Sequence, residues 1–375
     1  MINVSDVNVW RDTIIRHPLY PHFAHTISGV ILLFVFVMAT LENSLVLVLF
    51  LRKKQLRSST NMFIIALTVC DLFMALIPVP ISMTASFLGG WPYGQSVCHL
   101  EGFMVYCFGL SSLYLLMAIS WNRYFVIARQ LQANRITNRV AGLSIFGCFV
   151  GGFLWSSFPF LGWSEYGLEG ALTSCGIRWD IKSQATLSYV IAIFCFCFIF
   201  PIGGMIFCYF KIYMTVRRIS RNYISKSNRR LAFRNMATEK KMAKTILAMI
   251  GVYFVCWTPY AIVSFWAGFA DVNTLPVWAQ SAPALIAKTG TMWNPLVYVA
   301  TNKQFRAAFV DAIPCRRLRE RLGHAEHICN QVNTRHEPTW NEMSVFASVR
   351  KSHSSNDEIQ LEKLISNKTS TSTSL

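Results

Sequence analysis

Seven runs of mostly apolar residues punctuate the chain, at 26–51, 62–86, 98–122, 140–162, 186–212, 243–267 and 277–300. Each is long enough to cross a bilayer as a helix, which takes about 20 residues. Short polar connections separate them. The pattern predicts an all-α membrane protein, a seven-transmembrane helix bundle over 26–301 preceded by a polar N-terminal segment, 1–25. An odd number of crossings puts the two chain ends on opposite sides. Residues 302–316, NKQFRAAFVDAIPCR, set Phe305 and Phe309 four apart among basic residues. They predict a short amphipathic cytosolic helix on the inner leaflet. From 317 to 375 the periodicity ends, and the sequence closes on SNKTSTSTSL. That composition predicts a disordered Ser/Thr-rich tail.

Charge orients the bundle. Of 375 residues, 53% are hydrophobic and 14% charged, against about 25% charged in soluble domains. The net charge of +17 comes from clusters on alternate connections: Arg52, Lys53, Lys54 and Arg57; Arg123, Arg129, Arg135 and Arg139; Arg217, Arg218 and Arg221; Arg316, Arg317 and Arg319. Stretches 87–97 and 268–276 hold no Lys or Arg. Positive charge stays inside, so the N-terminus is expected outside and the C-terminus in the cytosol. Basic clusters set between apolar spans exclude a nucleic-acid partner. Residues 1–24 lack the apolar core of a signal peptide, so the first span is expected to direct insertion. Asn3 opens an Asn-Val-Ser sequon and is a glycosylation candidate. Cys315, among arginines, is a palmitoylation candidate.

Candidate chemistry is sparse. Of eleven cysteines, only Cys98 and Cys175 fall on the predicted outer side, where an oxidising space favours a disulfide. That bond would pin loop 163–185 over the bundle mouth. His22 and His25, and His324 and His327, lack further ligands; they read as surface histidines, and no metal site is expected. A phosphate loop or catalytic triad is missing, so the chain is not expected to be an enzyme. Within the spans, Asn43 and Asp71 are polar at mid-membrane depth, and Pro201, Pro259, Pro283 and Pro295 predict hinges. Lys288 lies near the middle of the last run. A charged amine there costs about 2.5–3.5 kcal/mol on insertion scales. It wants a carboxylate partner, or an aldehyde with which a buried, nucleophilic amine condenses.

Over about 26–315 the chain resembles the rhodopsin-like, class A G-protein-coupled receptors. The resemblance rests on Asn43, LTVCD ending in Asp71, Cys98 with Cys175, NRY at 122–124, FIFP ending in Pro201 with Tyr209, CWTPY at 256–260 and NPLVY at 294–298. Lys288, six residues before Asn294, is placed as in the opsins. That likeness implies retinal, 11-cis in the dark, bound through Lys288 as a protonated Schiff base, and a light-sensing receptor. Glu101 matches the counterion position of vertebrate visual opsins, and Glu169 the loop glutamate of many invertebrate ones; Glu101 is expected to dominate. A carboxylate about 4 Å from the cation is worth roughly 4 kcal/mol at an effective dielectric of 20. Trp257 and Tyr260 line the implied cage, with Gly102, Gly109 and Ala284 leaving room for the polyene and Tyr253 one turn below Trp257.

The same resemblance makes Asn43, Asp71, Arg123, Tyr209, Asn294, Pro295 and Tyr298 activation switches. Glu239, at the start of span six, is expected to pair with Arg123. The family usually carries Glu or Asp where Asn122 stands, so the local acid partner of Arg123 is missing. Phe149 replaces a span-four tryptophan, with Trp155 out of register, and Glu42 has no family role. Implied partners are a heterotrimeric G protein, arrestin and a receptor kinase at the C-terminal tail, and membrane lipid. The implied location is the plasma membrane or a photoreceptor membrane, multi-pass. NKQFR at 302–306 hints at a ciliary lineage. Competing readings are a retinal photoisomerase on this fold and a receptor for a diffusible ligand.

Overall fold

The structure, a computed structural model, describes residues 20–53, 58–129, 137–222, 229–271, 274–301 and 306, with the backbone alone at 219–222 and 229–239. Asn3, Cys315, the helix expected at 302–316, the tail from 317 and the side chain of Glu239 lie outside the described residues.

Seven spans form the body. Span one is His22–Arg52; span two is Ser59–Leu76 followed by Pro78–Leu88; span three is Gly94–Ala128; span four is Asn138–Ser157, continued by a 3-10 turn at Phe158–Leu161. Span five is Gln184–Phe194 and Phe200–Asn222 with a π-helical turn, Cys195–Ile199, between them. Span six is Arg229–Phe269 and span seven Val277–Thr301. The first six contain stretches long and apolar enough to cross a membrane. Span seven, at 25 residues, is long enough but less apolar. Gln280, Ser281, Lys288, Thr289, Thr291 and Asn294 interrupt its hydrophobic surface.

Local chemistry explains the helix ends and breaks. Ser58, Thr137 and Ser183 accept hydrogen bonds from the backbone N–H of Asn61, Val140 and Thr186, at 3.2, 3.3 and 3.1 Å. These N-caps satisfy donors that a helix start leaves orphaned. Span two breaks at Ile77 because Pro78 cannot donate to the preceding turn, and Pro78 then opens the second half. In span five the ring of Pro201 would collide with the carbonyl of Cys197, four residues back. The wider π turn just before it relieves that clash. Leu67, Leu115, Leu116, Ile119 and Ile246 form the fully buried centre. Span four is the least enclosed and presents Leu143, Phe146 and Phe153 outward, as lipid-facing surface does.

The connection between spans four and five folds into an antiparallel hairpin, β1 (Tyr166–Glu169) with β2 (Ser174–Ile177), in register from Tyr166 opposite Ile177 to Glu169 opposite Ser174. Its turn uses positive φ at Gly170 (54°) and Leu172 (59°). A disulfide joins Cys175 on β2 to Cys98 near the start of span three. The pinned loop is thus as expected, but its strands are not readable as alternation over four residues each. The surface reading of His25 is overturned: it is 3% exposed and meets the ring of Tyr20 edge-on at 4.7 Å.

The disulfide closes a separation of 77 residues. Replacing both cysteines by serine should cost roughly 2–5 kcal/mol. Thermal unfolding of the two forms in matched detergent measures it, and an unchanged midpoint would show that the hairpin docks without the bond.

Candidate functional site

Lys288 and Glu101 form a buried ion pair. Lys288 Nζ lies 3.3 Å from Glu101 Oε1, with Lys288 3% and Glu101 0% exposed. At that separation the attraction is about 5 kcal/mol at an effective dielectric of 20. Glu101 has two further partners. Ser82 Oγ donates to Oε1, and the backbone N–H of Cys175 donates to Oε2 at 3.0 Å. The groups around this carboxylate therefore come from the upper half of span two, β2 and span seven.

A second cluster surrounds Glu169, half-buried at the end of β1. Tyr260 Oη donates to its Oε2 at 2.9 Å, and Ser174 Oγ to Oε1 at 3.1 Å. Trp179 Nε1 donates to Tyr260 Oη at 3.2 Å, and Tyr106 Oη sits 2.9 Å from it. One hydroxyl carries one proton, so with Tyr260 donating to Glu169, Tyr106 is the donor to Tyr260. Burial pushes the Glu169 carboxyl above the usual carboxylate range, against the opposing pull of Lys288 and of the Tyr260 and Ser174 hydroxyls. Gly176 makes room for the cluster, since a Cβ there would collide with both Glu169 and Tyr260.

A wide cleft of about 650 Å³ opens over the hairpin beside Glu169, Trp179 and Tyr260, and two smaller voids lie deeper. One, of about 30 Å³, adjoins Lys288 and is lined by Ser82, Ser86, Glu169, Ser281 and Ala284. The other, about 80 Å³, is apolar and lies among Tyr106, Leu113, Cys197, Phe198, Trp257 and Ala261. Ala284 lines the same void as Lys288. Gly102 and Gly109 do not. A Cβ on Gly102 would come within 2.5 Å of the Tyr166 ring, and one on Gly109 within 2.6 Å of Trp257. Both glycines leave room for aromatic side chains. The Tyr253 hydroxyl donates to the Gly109 carbonyl at 3.0 Å, while its ring stacks on Trp257 at 5.7 Å.

The other singled-out residues form a column along span seven and a cluster at the end opposite the disulfide. Asn43 Nδ2 donates to the carbonyls of Ala39 and Thr291, at 2.9 and 3.0 Å. Asn294 Nδ2 donates to Asp71 Oδ2 at 2.9 Å, and Tyr298 Oη to Asn61 Oδ1 at 3.3 Å. Pro295 sits between them in unbroken helix. Tyr209 Oη donates to the Ala243 carbonyl at 3.2 Å. Arg123, 3% exposed, donates to Asn122 Oδ1 at 2.9 Å and to Thr60 Oγ1. Thr60 Oγ1 in turn donates to Asn122 Oδ1 at 3.1 Å. The expected gap at Asn122 is therefore filled by a neutral acceptor. Trp155 packs against Phe158, Trp163, Tyr189 and Phe196, away from the position of Phe149. Among the described residues no group of three His, Cys, Asp or Glu is placed to hold a metal. Sequence reasoning missed Ser82, Tyr106, Ser174, Gly176, Trp179 and Thr60. A buried carboxylate needs donors, but nothing local to it says which elements supply them.

The profile of the 7 transmembrane receptor (rhodopsin family) matches residues 42–298. The chain is 33% identical to melanopsin of Phodopus sungorus over 299 residues, covering 79% of this chain and 64% of that protein. It is 35% identical to human (Homo sapiens) melanopsin over 306 residues, 79% and 63% of the two chains. To melanopsin-A of Danio rerio it is 35% identical over 308 residues, 80% and 51%. The chain thus spans about half to two thirds of these relatives' length. The crystal structure of squid rhodopsin superimposes with a TM-score of 0.76 at 27% identity, covering 81% of this chain and 92% of that one.

Breaking a buried pair from one side strands the other charge, at about 3–5 kcal/mol. Lys288→Met and Glu101→Gln should each lower the stability of the ligand-free protein by about that much. The double variant should lose less than the sum, because neither charge is then stranded. Unfolding midpoints of the four forms measure the coupling, and strict additivity would show that the pair is not energetically linked.

Proposed function

Because the chain belongs to the rhodopsin family of seven-transmembrane receptors, we propose that it is a light-sensing, G-protein-coupled opsin that holds retinal, 11-cis in the dark, through Lys288. The observation that carries this reading is the buried amine of Lys288 paired with Glu101 at 3.3 Å, beside a hydroxyl-lined void; an apolar void is walled by Trp257 and Tyr260. When bound there as an imine, retinal supplies visible absorption and a light-driven change of shape. The residues present fit it: an amine for attachment, an acid for the charge, and aromatic walls at Trp257 and Tyr260. Glu101 holds a proton at Lys288 Nζ, with its orientation set by Ser82 and the Cys175 N–H. Glu169 is the secondary acid, coupled to the cage through Tyr260.

Trp257 lies one turn below Tyr260 and two residues before Pro259, so displacement at the cage bears on the weakest point of span six. The Arg123 end then opens as span six moves, a shift between two packings biased by differential contacts. Arg52 and Lys53, Arg123 and Arg129, and Arg217 and Arg218 lie at the ends of spans one, three and five opposite the disulfide. On the positive-inside rule that end is cytosolic and the N-terminus extracellular. The proposed partners are a heterotrimeric G protein at Arg123, and arrestin and a receptor kinase at the tail, in the plasma membrane or a photoreceptor membrane.

Incubation of the purified protein with 11-cis retinal in the dark should give a visible, light-sensitive band that Lys288→Ala abolishes. G-protein activation in light and dark then separates a sensor from a retinal photoisomerase. A protein with no band with either retinal isomer would be a receptor for a diffusible ligand.

Asn122→Glu should give Arg123 a charged partner. Charge-assisted bonds are about twice as strong as neutral ones, so dark G-protein activation should fall roughly three- to tenfold. Equal dark rates in variant and wild type would remove Asn122 from the latch.

A further inference from the structure

Lys182 joins two helix ends that the site does not otherwise connect. It directly precedes Ser183, the N-cap of span five. Its ammonium donates to the carbonyls of Ala267 and Ala270, at 2.8 and 2.7 Å. Those carbonyls lie in the last turn of span six and just beyond it, where helix carbonyls lack intrahelical partners and the dipole favours a cation. Adjacent residues therefore cap the start of one span and the end of the next.

Below this point the two spans touch through few groups. Phe194 meets Phe265 edge-on at 4.9 Å, and a Cβ on Gly268 would only touch Val190, at 3.4 Å. Deeper still, the π turn at Cys195–Ile199 interrupts the ladder of span five. The apolar void opens at that level, walled by Phe194, Cys197 and Phe198 of span five and by Tyr260, Ala261 and Ser264 of span six. Phe265, which meets Phe194 at this seam, and Ile262, one turn before it on span six, face outward, 45% and 61% exposed. The seam between spans five and six is thus the thin wall between the bilayer and the void, and Lys182 ties it at the mouth.

We propose that Lys182 is a positioning residue that pins the mouth ends of spans five and six together and thereby sets the rate at which an apolar ligand passes between the bilayer and the cavity beside Trp257. The tie lies on the mouth side of Pro259, so the same contact makes the mouth end of span six the fixed end when its other end moves. The choice of a retinoid as the ligand rests on the opsin reading; the tie itself does not.

The test uses the full chain in lipid nanodiscs, with Lys182→Met, which keeps the stem and loses the donors, and Lys182→Arg, which keeps charge and donors. Amide hydrogen exchange at residues 266–271 of the ligand-free protein reports the tie alone. It should rise about tenfold in Lys182→Met and stay near wild type in Lys182→Arg; unchanged exchange in Lys182→Met overturns the tie. Retinol, an alcohol that cannot form an imine, reports passage through quenching of tryptophan fluorescence. Its uptake and release should both quicken about five- to tenfold in Lys182→Met with the same Kd. Equal rates overturn the gating role, as does a changed Kd with unchanged uptake. Failure of the wild type to take up retinol overturns the retinoid reading and leaves the exchange experiment to decide the tie. Should Lys182→Met not fold, Lys182→Leu, which is neutral and has no donor, carries the same expectations.

Discussion

An ammonium and a carboxylate buried 3.3 Å apart constrain the whole mouth end of this bundle. Taking each ion out of water costs several kcal/mol, and their attraction offsets this only when the remaining lone pairs are also satisfied. Glu101 meets that condition through Ser82 and the Cys175 N–H. Each of those donors depends on a separate structural feature. Ser82 stands on the half of span two that follows the break at Pro78, and Cys175 stands on a strand that the disulfide fastens to span three. Removal of the proline break, the hairpin or the disulfide would each leave a buried oxygen without its donor. The arrangement of three elements thus follows from the needs of one side chain.

The second acid shows how environment separates two carboxyls of the same site. Glu101 accepts from a cation, a hydroxyl and a backbone amide. Glu169 accepts from two hydroxyls and is only half-buried, with its proton held more tightly than on a surface glutamate. Its main partner, Tyr260, is fully engaged by Tyr106 and Trp179 and cannot turn without breaking both bonds. Glu101 is therefore suited to hold charge at Lys288, and Glu169 to register movement of span six.

What the sequence made legible is the long-range periodicity and the costly residues. Seven apolar runs, the basic connections, and Lys288, Asp71 and Asn43 stand out because a bilayer penalises them or selects them individually. Pairings across the bundle do not stand out in this way. The hairpin was hidden because four-residue strands carry too little alternation to register. Gly102 and Gly109 were visible as small residues, but which ring fills the space depends on how Tyr166 and Trp257 turn in the fold. His22 and His25 offer no ligand set, which suggests surface for both; the packing of His25 beside Tyr20 is a contact that the sequence does not announce. At Asn122 the missing acid was legible, and the threonine that compensates, Thr60 on span two, was not.

Span seven explains why one helix of a membrane bundle is less apolar than the others. Lys288 leads one turn down to Thr291, whose hydroxyl donates to the Lys288 carbonyl at 3.0 Å and whose own carbonyl accepts from Asn43. Asn294 follows on Asp71, and Tyr298 on Asn61. Asn61 is the neighbour of Thr60, which holds Arg123. Polar side chains therefore follow span seven from the level of the buried amine to the opposite end of the bundle, each bonded to a neighbouring span, and there adjacent residues of span two hold both Tyr298 and Arg123. Side chains that bond to neighbouring spans cannot also be apolar, so the span that links the two ends must give up hydrophobicity. Its two prolines, Pro283 and Pro295, bracket the lysine and give the column places to bend. A shift of span seven against its neighbours would have to break and remake these hydrogen bonds. Such bonds are made or unmade as units, which favours discrete packings over graded ones.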